Sequence, residues 1–146
     1  VSETPARGKV YIAGSSKEIS RVRKWIAALR AAGYEITCDW TIDVEAAQKL
    51  GRLPTDEEAI PLAIMDMNGV LNATILWMLR PDTESTGVHS EIGIALGWNE
   101  AIKRFGVGEE RLVTIASGGN SKNIFSLLAD RVFATDEEAF EHLTNW

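Results

Sequence analysis

Two carboxylates in this chain stand among apolar neighbours. Glu91 sits in the run Val88-His89-Ser90-Glu91-Ile92-Gly93-Ile94-Ala95-Leu96, and Asp66 sits among Ile64, Met65, Met67 and Val70. An apolar setting penalises the charged form of a carboxyl group, so one kept there is a candidate for nucleophilic attack, proton transfer or the stabilisation of positive charge. Both residues also have a plain reading. Glu91 near a helix start is favoured by the helix dipole, and Asp66 suits the outer face of an amphipathic helix. Two short loops add donors. Gly14-Ser15-Ser16-Lys17 combines a tight turn, two hydroxyls, free N–H groups and an ammonium, which together suit a phosphate. It is neither a G-x-G-x-x-G fingerprint nor a Walker A loop, and the same residues make an ordinary turn with Ser16 as helix cap. Ser117-Gly118-Gly119-Asn120-Ser121 could close the same phosphate site or one on a neighbouring subunit, or be simply a loop. His89 is a candidate ligand contact or a half-buried structural histidine. Ser90 is no serine-hydrolase nucleophile, because Val88 and Ile92 occupy the glycine places of G-x-S-x-G.

The elements that must position these groups alternate. Residues 9–13 (KVYIA) read as a buried first strand. A helix capped by Ser16 follows to about residue 32, with Val22, Trp25, Ile26 and Leu29 on one face and Gly33 as its stop. Residues 34–38 form a second strand, and 39–52 a loop with a short helix. Thr55-Asp56-Glu57-Glu58 has the pattern of a capped helix start, though Pro61 also allows a start nearer Ile60; the helix ends near residue 71. Residues 73–79 (ATILWML) form the most hydrophobic strand and belong in the centre of a sheet. After a polar loop at 81–86, a helix spans 87–105, a strand 112–116, a helix 122–129, a strand 131–134 and a final helix, capped at Thr135, to about residue 143. Such βα alternation predicts an α/β fold: a flavodoxin-like (Rossmann-like) three-layer sandwich around a five-stranded parallel sheet in the order 2-1-3-4-5. In that order ligands bind beyond the strand C-termini, where the loops after residues 13, 79 and 116 meet.

Bulk properties bound the answer. The 146 residues suit one domain, 1–146, with 45% hydrophobic and 25% charged residues. A net charge of −6 argues against a nucleic acid polymer or an anionic membrane surface as partner, while leaving a small anion in a local pocket open. One cysteine, Cys38, excludes an internal disulfide, and with only His89 and His142 no zinc site is expected. No apolar run reaches the ~20 residues of a membrane span. The polar start, Val1-Ser2-Glu3-Thr4-Pro5, lacks a signal-peptide core and an initiator Met, as expected of a processed or cloned N-terminus. The expectation is a cytoplasmic protein.

Taken in order, the segments KVYIAGSSK, DMNGV and STGVHSEIG resemble the nucleoside 2-deoxyribosyltransferase superfamily, including its 2′-deoxynucleoside 5′-phosphate N-hydrolase branch. The likeness spans roughly residues 9–121. It implies that Glu91 is the glutamate attacking the anomeric carbon of a deoxyribose. It implies that Asp66 helps to protonate or orient the base, and that Tyr11 lies near the sugar and the catalytic carboxylate. Ser15, Ser16 and Lys17 would form the phosphate loop; Gly14, Gly87 and His89 are expected beside the substrate from their own place in the chain, not from the likeness. Ser85 stands where the transferases tend to carry an acid facing the sugar 5′-hydroxyl; a serine donates to a phosphate that an aspartate would repel. Ser117, with Asn120 in the same loop, resembles a second phosphate serine given by a partner subunit. The resemblance thus implies cleavage of the N-glycosidic bond of deoxynucleoside monophosphates in a homodimer or larger homo-oligomer. Exposed apolar residues of the 87–105 helix would suit the interface. No metal or redox cofactor is required. His89 and Ser90 depart from the family's glycine and larger residue, and Asp-Met-Asn-Gly looks more like the transferase branch. Base exchange on unphosphorylated nucleosides and a non-catalytic nucleotide-binding or sensing module are therefore the alternatives. An NAD-cleaving domain of the Toll/interleukin-receptor kind shares only the architecture. Trp40 and Trp77 are candidates for stacking on a base, with core packing the default for Trp77.

Overall fold

The computed structural model describes residues 7–83, 86–106, 110–120 and 124–145. Five strands, β1 (Lys9–Ala13), β2 (Glu35–Ile36), β3 (Ile75–Leu79), β4 (Val113–Ser117) and β5 (Arg131–Phe133), pair in parallel in the order β2-β1-β3-β4-β5. Helices α1 (Ile19–Ala31), α2 (Thr41–Leu50), α3 (Asp56–Leu71), α4 (Thr86–Phe105) and α5 (Asp136–Thr144) connect and flank them. The expected sheet order holds, and β3 is its centre: all five of its residues are buried. A strand buried on both faces reads as continuous apolar sequence, as ILWML does.

Alternation along the strands divides the core into two halves. On one side Trp77 packs at 5.3 Å from Trp25 of α1, which meets Phe140 of α5 at 5.3 Å. On the other side Tyr11 faces α3 and α4. The helix starts follow the expected caps where the chemistry is local. Thr55 and Glu58 form a reciprocal capping box, and the Thr135 hydroxyl accepts from the Glu138 amide. Pro61 lies inside α3, in its second turn, where the Glu57 carbonyl it leaves unpaired is on an exposed residue.

Two local expectations, the cap at Ser16 and the helix at 122–129, are corrected, and one, the short helix within 39–52, is borne out and given its bounds. Ser15, in extended conformation, caps the turn after β1 by accepting from the Lys17 amide; Ser16 begins a 3₁₀ turn, Ser16–Glu18, ahead of α1. The stretch at 39–52 holds a ten-residue helix, α2, closed by left-handed Gly51 at φ 69°. Residues 124–128 form a 3₁₀ turn in place of an α-helix, while 122 and 123 lie outside the described residues. In that turn Ile124, Phe125, Leu127 and Leu128 are exposed and only Ser126 is buried, so no amphipathic face drives a longer helix.

The C-terminal ends of β3 and β4 are tied to α1 and α5 by one polar cluster. Arg21 donates to both oxygens of Asp136, at 2.7 and 2.8 Å, and to the Arg80 carbonyl at 2.7 Å. The Ser117 hydroxyl accepts from Trp77 Nε1 at 2.8 Å and donates to Asp136 Oδ1 at 2.7 Å. Burial opposes the charge on Asp136, but the bonds from Arg21, Ser117 and Trp25 outweigh it and hold its pKa below the usual range. Gly119 seals the loop after β4. At φ 64°, a Cβ there would stand 1.9 Å from the Arg80 carbonyl oxygen, so only glycine fits. No helix among the described residues is long and apolar enough to cross a membrane.

Candidate functional site

A cavity of about 690 Å³ opens beyond the strand C-termini. That is the crevice where β1 has β2 on one side and β3 on the other. Gly14 and Ser16 line it from the loop after β1, Gly87 and Glu91 from the start of α4, and Asp66 and Leu62 from α3. The remaining wall is α2 and the segment after it, including Trp40, Asp43, Val44, Ala47 and Gln48.

Glu91 reaches this place because α4 turns Val88, Ile92 and Ala95 into the core. That helical spacing carries Glu91 inward with them. The Tyr11 hydroxyl donates to Glu91 Oε1 at 2.8 Å. The other oxygen, Oε2, is buried with no hydrogen-bond partner among the described residues. Burial pushes the Glu91 carboxyl up to about 8; the Tyr11 bond opposes this and the nearby Asp66 charge adds to it. Tyr11 itself is held far above its usual range by burial and by the two carboxylates, so it stays a donor.

Asp66 is raised above the usual carboxylate range, by burial first and by Asp43 besides; the bond from the Cys38 thiol, Sγ to Oδ1 at 3.6 Å, works the other way. Cys38 is in turn pushed up to about 12 by burial and by Asp66, which keeps it a thiol. Two carboxyl groups with raised proton affinity in one cleft can divide the roles of nucleophile and acid between them.

Gly69 permits the close approach of α3 to this group. A Cβ there would lie 2.7 Å from that of Cys38 and 2.9 Å from the Tyr11 ring, and the Gly69 carbonyl accepts from the Thr37 hydroxyl at 2.7 Å. Gly69→Ala is expected to cost about 1–3 kcal/mol of stability by overpacking, seen as a lower urea midpoint. It should also displace the Tyr11 ring, and with it the hydroxyl that donates to Glu91.

The structure therefore brings together Glu91, Asp66, Tyr11, Gly14, Ser16 and Gly87. Ser15 is buried and spends its hydroxyl on the cap. Lys17 is exposed on the same loop. His89 is half-buried on α4 and does not line the cavity. Ser117 is buried toward α1 and α5, on the opposite face of the sheet from Tyr11. Asn120 is exposed, with its amide 3.5 Å from Asp82. Ser85 lies outside the described residues. Trp77 is fully buried in the core, whereas Trp40 lines the cavity with its Nε1 bonded to the Ile12 carbonyl at 2.9 Å. The α2 wall is the part that sequence reasoning missed. Its only signal is faint: Trp40, Val44, Ala47 and Gly51 recur on one helical face, with two small residues among the four.

No protein-family model matches this chain, and no curated protein matches its sequence. Among solved structures, the fold is similar to that of a CMP N-glycosidase, BcmB, from Clostridium botulinum. The two chains share 14% sequence identity with a TM-score of 0.55, over 94% of this chain and 99% of that one. At that identity the likeness is one of fold.

Proposed function

We propose that this protein cleaves the N-glycosidic bond of 2′-deoxynucleoside 5′-monophosphates. The observation that carries the reading is Glu91: a buried carboxyl group with one oxygen held by Tyr11, the other unpartnered, and a second carboxyl group, Asp66, on the same cavity. The fold shared with an N-glycosidase is consistent with it. In this mechanism ionised Glu91 attacks the anomeric carbon as the bond to the base breaks, and the departing base takes the proton of Asp66. Charge developing on the sugar ring is met by the Glu91 carboxylate. Water then displaces Glu91 from the sugar and returns a proton to Asp66, releasing deoxyribose 5-phosphate. The 5′-phosphate is assigned to the loop Gly14-Ser15-Ser16-Lys17, to Ser85 and to the N-terminus of α4, where free amides favour an anion.

A second reading is base exchange on unphosphorylated nucleosides. It is favoured by Asp66-Met67-Asn68-Gly69, whose glycine lets α3 bring Asp66 toward the cleft. Both readings share the covalent step and differ in whether water or a second base resolves it. Base release should be followed by chromatography from deoxynucleotides and matched nucleosides, with and without a free acceptor base. Free base from monophosphates alone is the expected result. New nucleosides formed only with acceptor would favour the transferase. No turnover anywhere would favour a binding module.

The proposed enzyme is a homodimer. Of the large apolar residues of α4, Val88 and Ile92 are buried, Ile94, Leu96, Trp98 and Ile102 are half-buried and Phe105 is exposed. A further supporting surface is on α3, where Ile60, Ile64, Met67 and Leu71 are exposed at successive spacings of four, three and four. That pattern is a seam suited to a second helix.

A further inference from the structure

We propose that the space between α2 and α3 is the nucleobase slot, and that Asp43 at its rim selects bases carrying an exocyclic amino group over those carrying a carbonyl there. The inference rests on the glycosidase reading and names the substrate class of that same site. It starts from a helix that does not pack as helices usually do. Only Thr41 of α2 is buried, yet Val44 and Ala47 form an apolar stripe on the cavity side. Leu62 of α3 and Leu53 also line the cavity, and Leu53 is 88% exposed. Aliphatic walls with polar groups at the rim suit a flat ring whose faces are apolar and whose edge is polar.

The cavity is chemically asymmetric, which fixes which way a nucleotide lies. Toward Gly14, Ser16 and Gly87 it offers the amides of a turn and a helix N-terminus, which attract a phosphate. Toward α2 it offers the Asp43 carboxylate, which repels one. With the sugar at Glu91, the base is directed to the α2 side.

At that end Asp43 has no hydrogen-bond or ion-pair partner among the described residues, although it lies close enough to act electrostatically on Asp66 and Cys38. A carboxylate only accepts hydrogen bonds. An amino group of cytosine or adenine supplies the donor it lacks. A carbonyl at the same place, as in uracil or hypoxanthine, sets oxygen against oxygen and leaves the Asp43 carboxylate unpaired in the complex. Gln48, with both a donor and an acceptor, accommodates the neighbouring edge of either base.

The test pairs dCMP with dUMP and dAMP with dIMP, measuring binding by titration calorimetry and base release by chromatography, in the full chain and in Asp43→Asn. The amino member of each pair is expected to bind about 10–100-fold more tightly. Asp43→Asn, which keeps the shape and adds a donor, should bring each pair to within about threefold. A circular dichroism spectrum like that of the parent establishes that the variant is folded. Equal binding within each pair, unchanged selectivity in Asp43→Asn, or no binding by any of the four would overturn the slot assignment. Selective binding with no base released would instead overturn the glycosidase reading and leave the slot standing. Base released from all four alike would do the reverse.

Discussion

Glu91→Gln is expected to lower base release by about 10⁴-fold or more while making the folded protein more stable at alkaline pH. The loss of activity follows from removing the proposed nucleophilic oxygen: an amide has the size of the acid but cannot carry negative charge to the anomeric carbon. The gain in stability follows from where Glu91 sits. Its folded-state pKa, about 8, lies above the ordinary value of 4.5 because burial penalises the charge. Between those two values the folded chain keeps a proton that the unfolded chain gives up. The stability attached to the protonated group is complete below pH 4.5 and is lost as pH rises through about 8. Glutamine imitates the protonated acid at every pH, so it escapes that loss. Urea unfolding should give similar midpoints for parent and variant near pH 4.5, and a variant more stable by about 4–5 kcal/mol at pH 9. Turnover within tenfold of the parent would remove Glu91 as nucleophile. Equal midpoints at pH 9 would show that the carboxylate is not held in a costly environment.

Glu91 is legible from its sequence neighbourhood alone, because the apolar residues around it recur at helical spacing. The same local logic makes β3 legible as a continuous apolar run and makes the Thr55 and Thr135 caps legible from residues three positions apart. What is not legible depends on surfaces meeting. The α2 stripe is too small and too interrupted to mark a core-facing helix; it is explained once its apolar face is seen to border a cavity rather than a protein layer. Ser117 carries hydroxyl chemistry suited to a phosphate loop, but its partners, Trp77 and Asp136, lie 40 and 19 residues away. No pattern near Ser117 announces them. The cap at Ser15 lies one residue before the expected Ser16 because adjacent serines offer the same side chain, and only the extended backbone at 15 decides between them. Gly69 belongs to a segment that carries a family resemblance, but its physical reason is that a Cβ there would stand 2.7 Å from that of Cys38 and 2.9 Å from the Tyr11 ring.

Tyr11→Phe is expected to move the pH dependence of kcat/KM as well as its size. Among the described residues, the Tyr11 hydroxyl makes the one hydrogen bond that favours ionised Glu91, at 2.8 Å, and it opposes the effect of burial. Tyr11 keeps its own proton across the working range, so it acts as a fixed donor. Deleting the hydroxyl leaves Glu91 Oε1 without that donor beside the already unpartnered Oε2, and the carboxyl must then rise above about 8. A hydrogen bond to a charged group is worth about 1.5–3 kcal/mol, which corresponds to a shift of about 1–2 pH units. The ascending limb of kcat/KM, set by ionisation of the nucleophile in the free enzyme, should move up by that amount. At pH 7 the variant should be slower by about 10–100-fold, with the deficit shrinking as pH approaches 10. The phenylalanine ring fills the same volume, so a packing defect is not introduced. A purely structural role for Tyr11 would scale the profile down without moving its midpoint. An unmoved midpoint would therefore separate Tyr11 from the chemistry of Glu91, whatever the loss in rate.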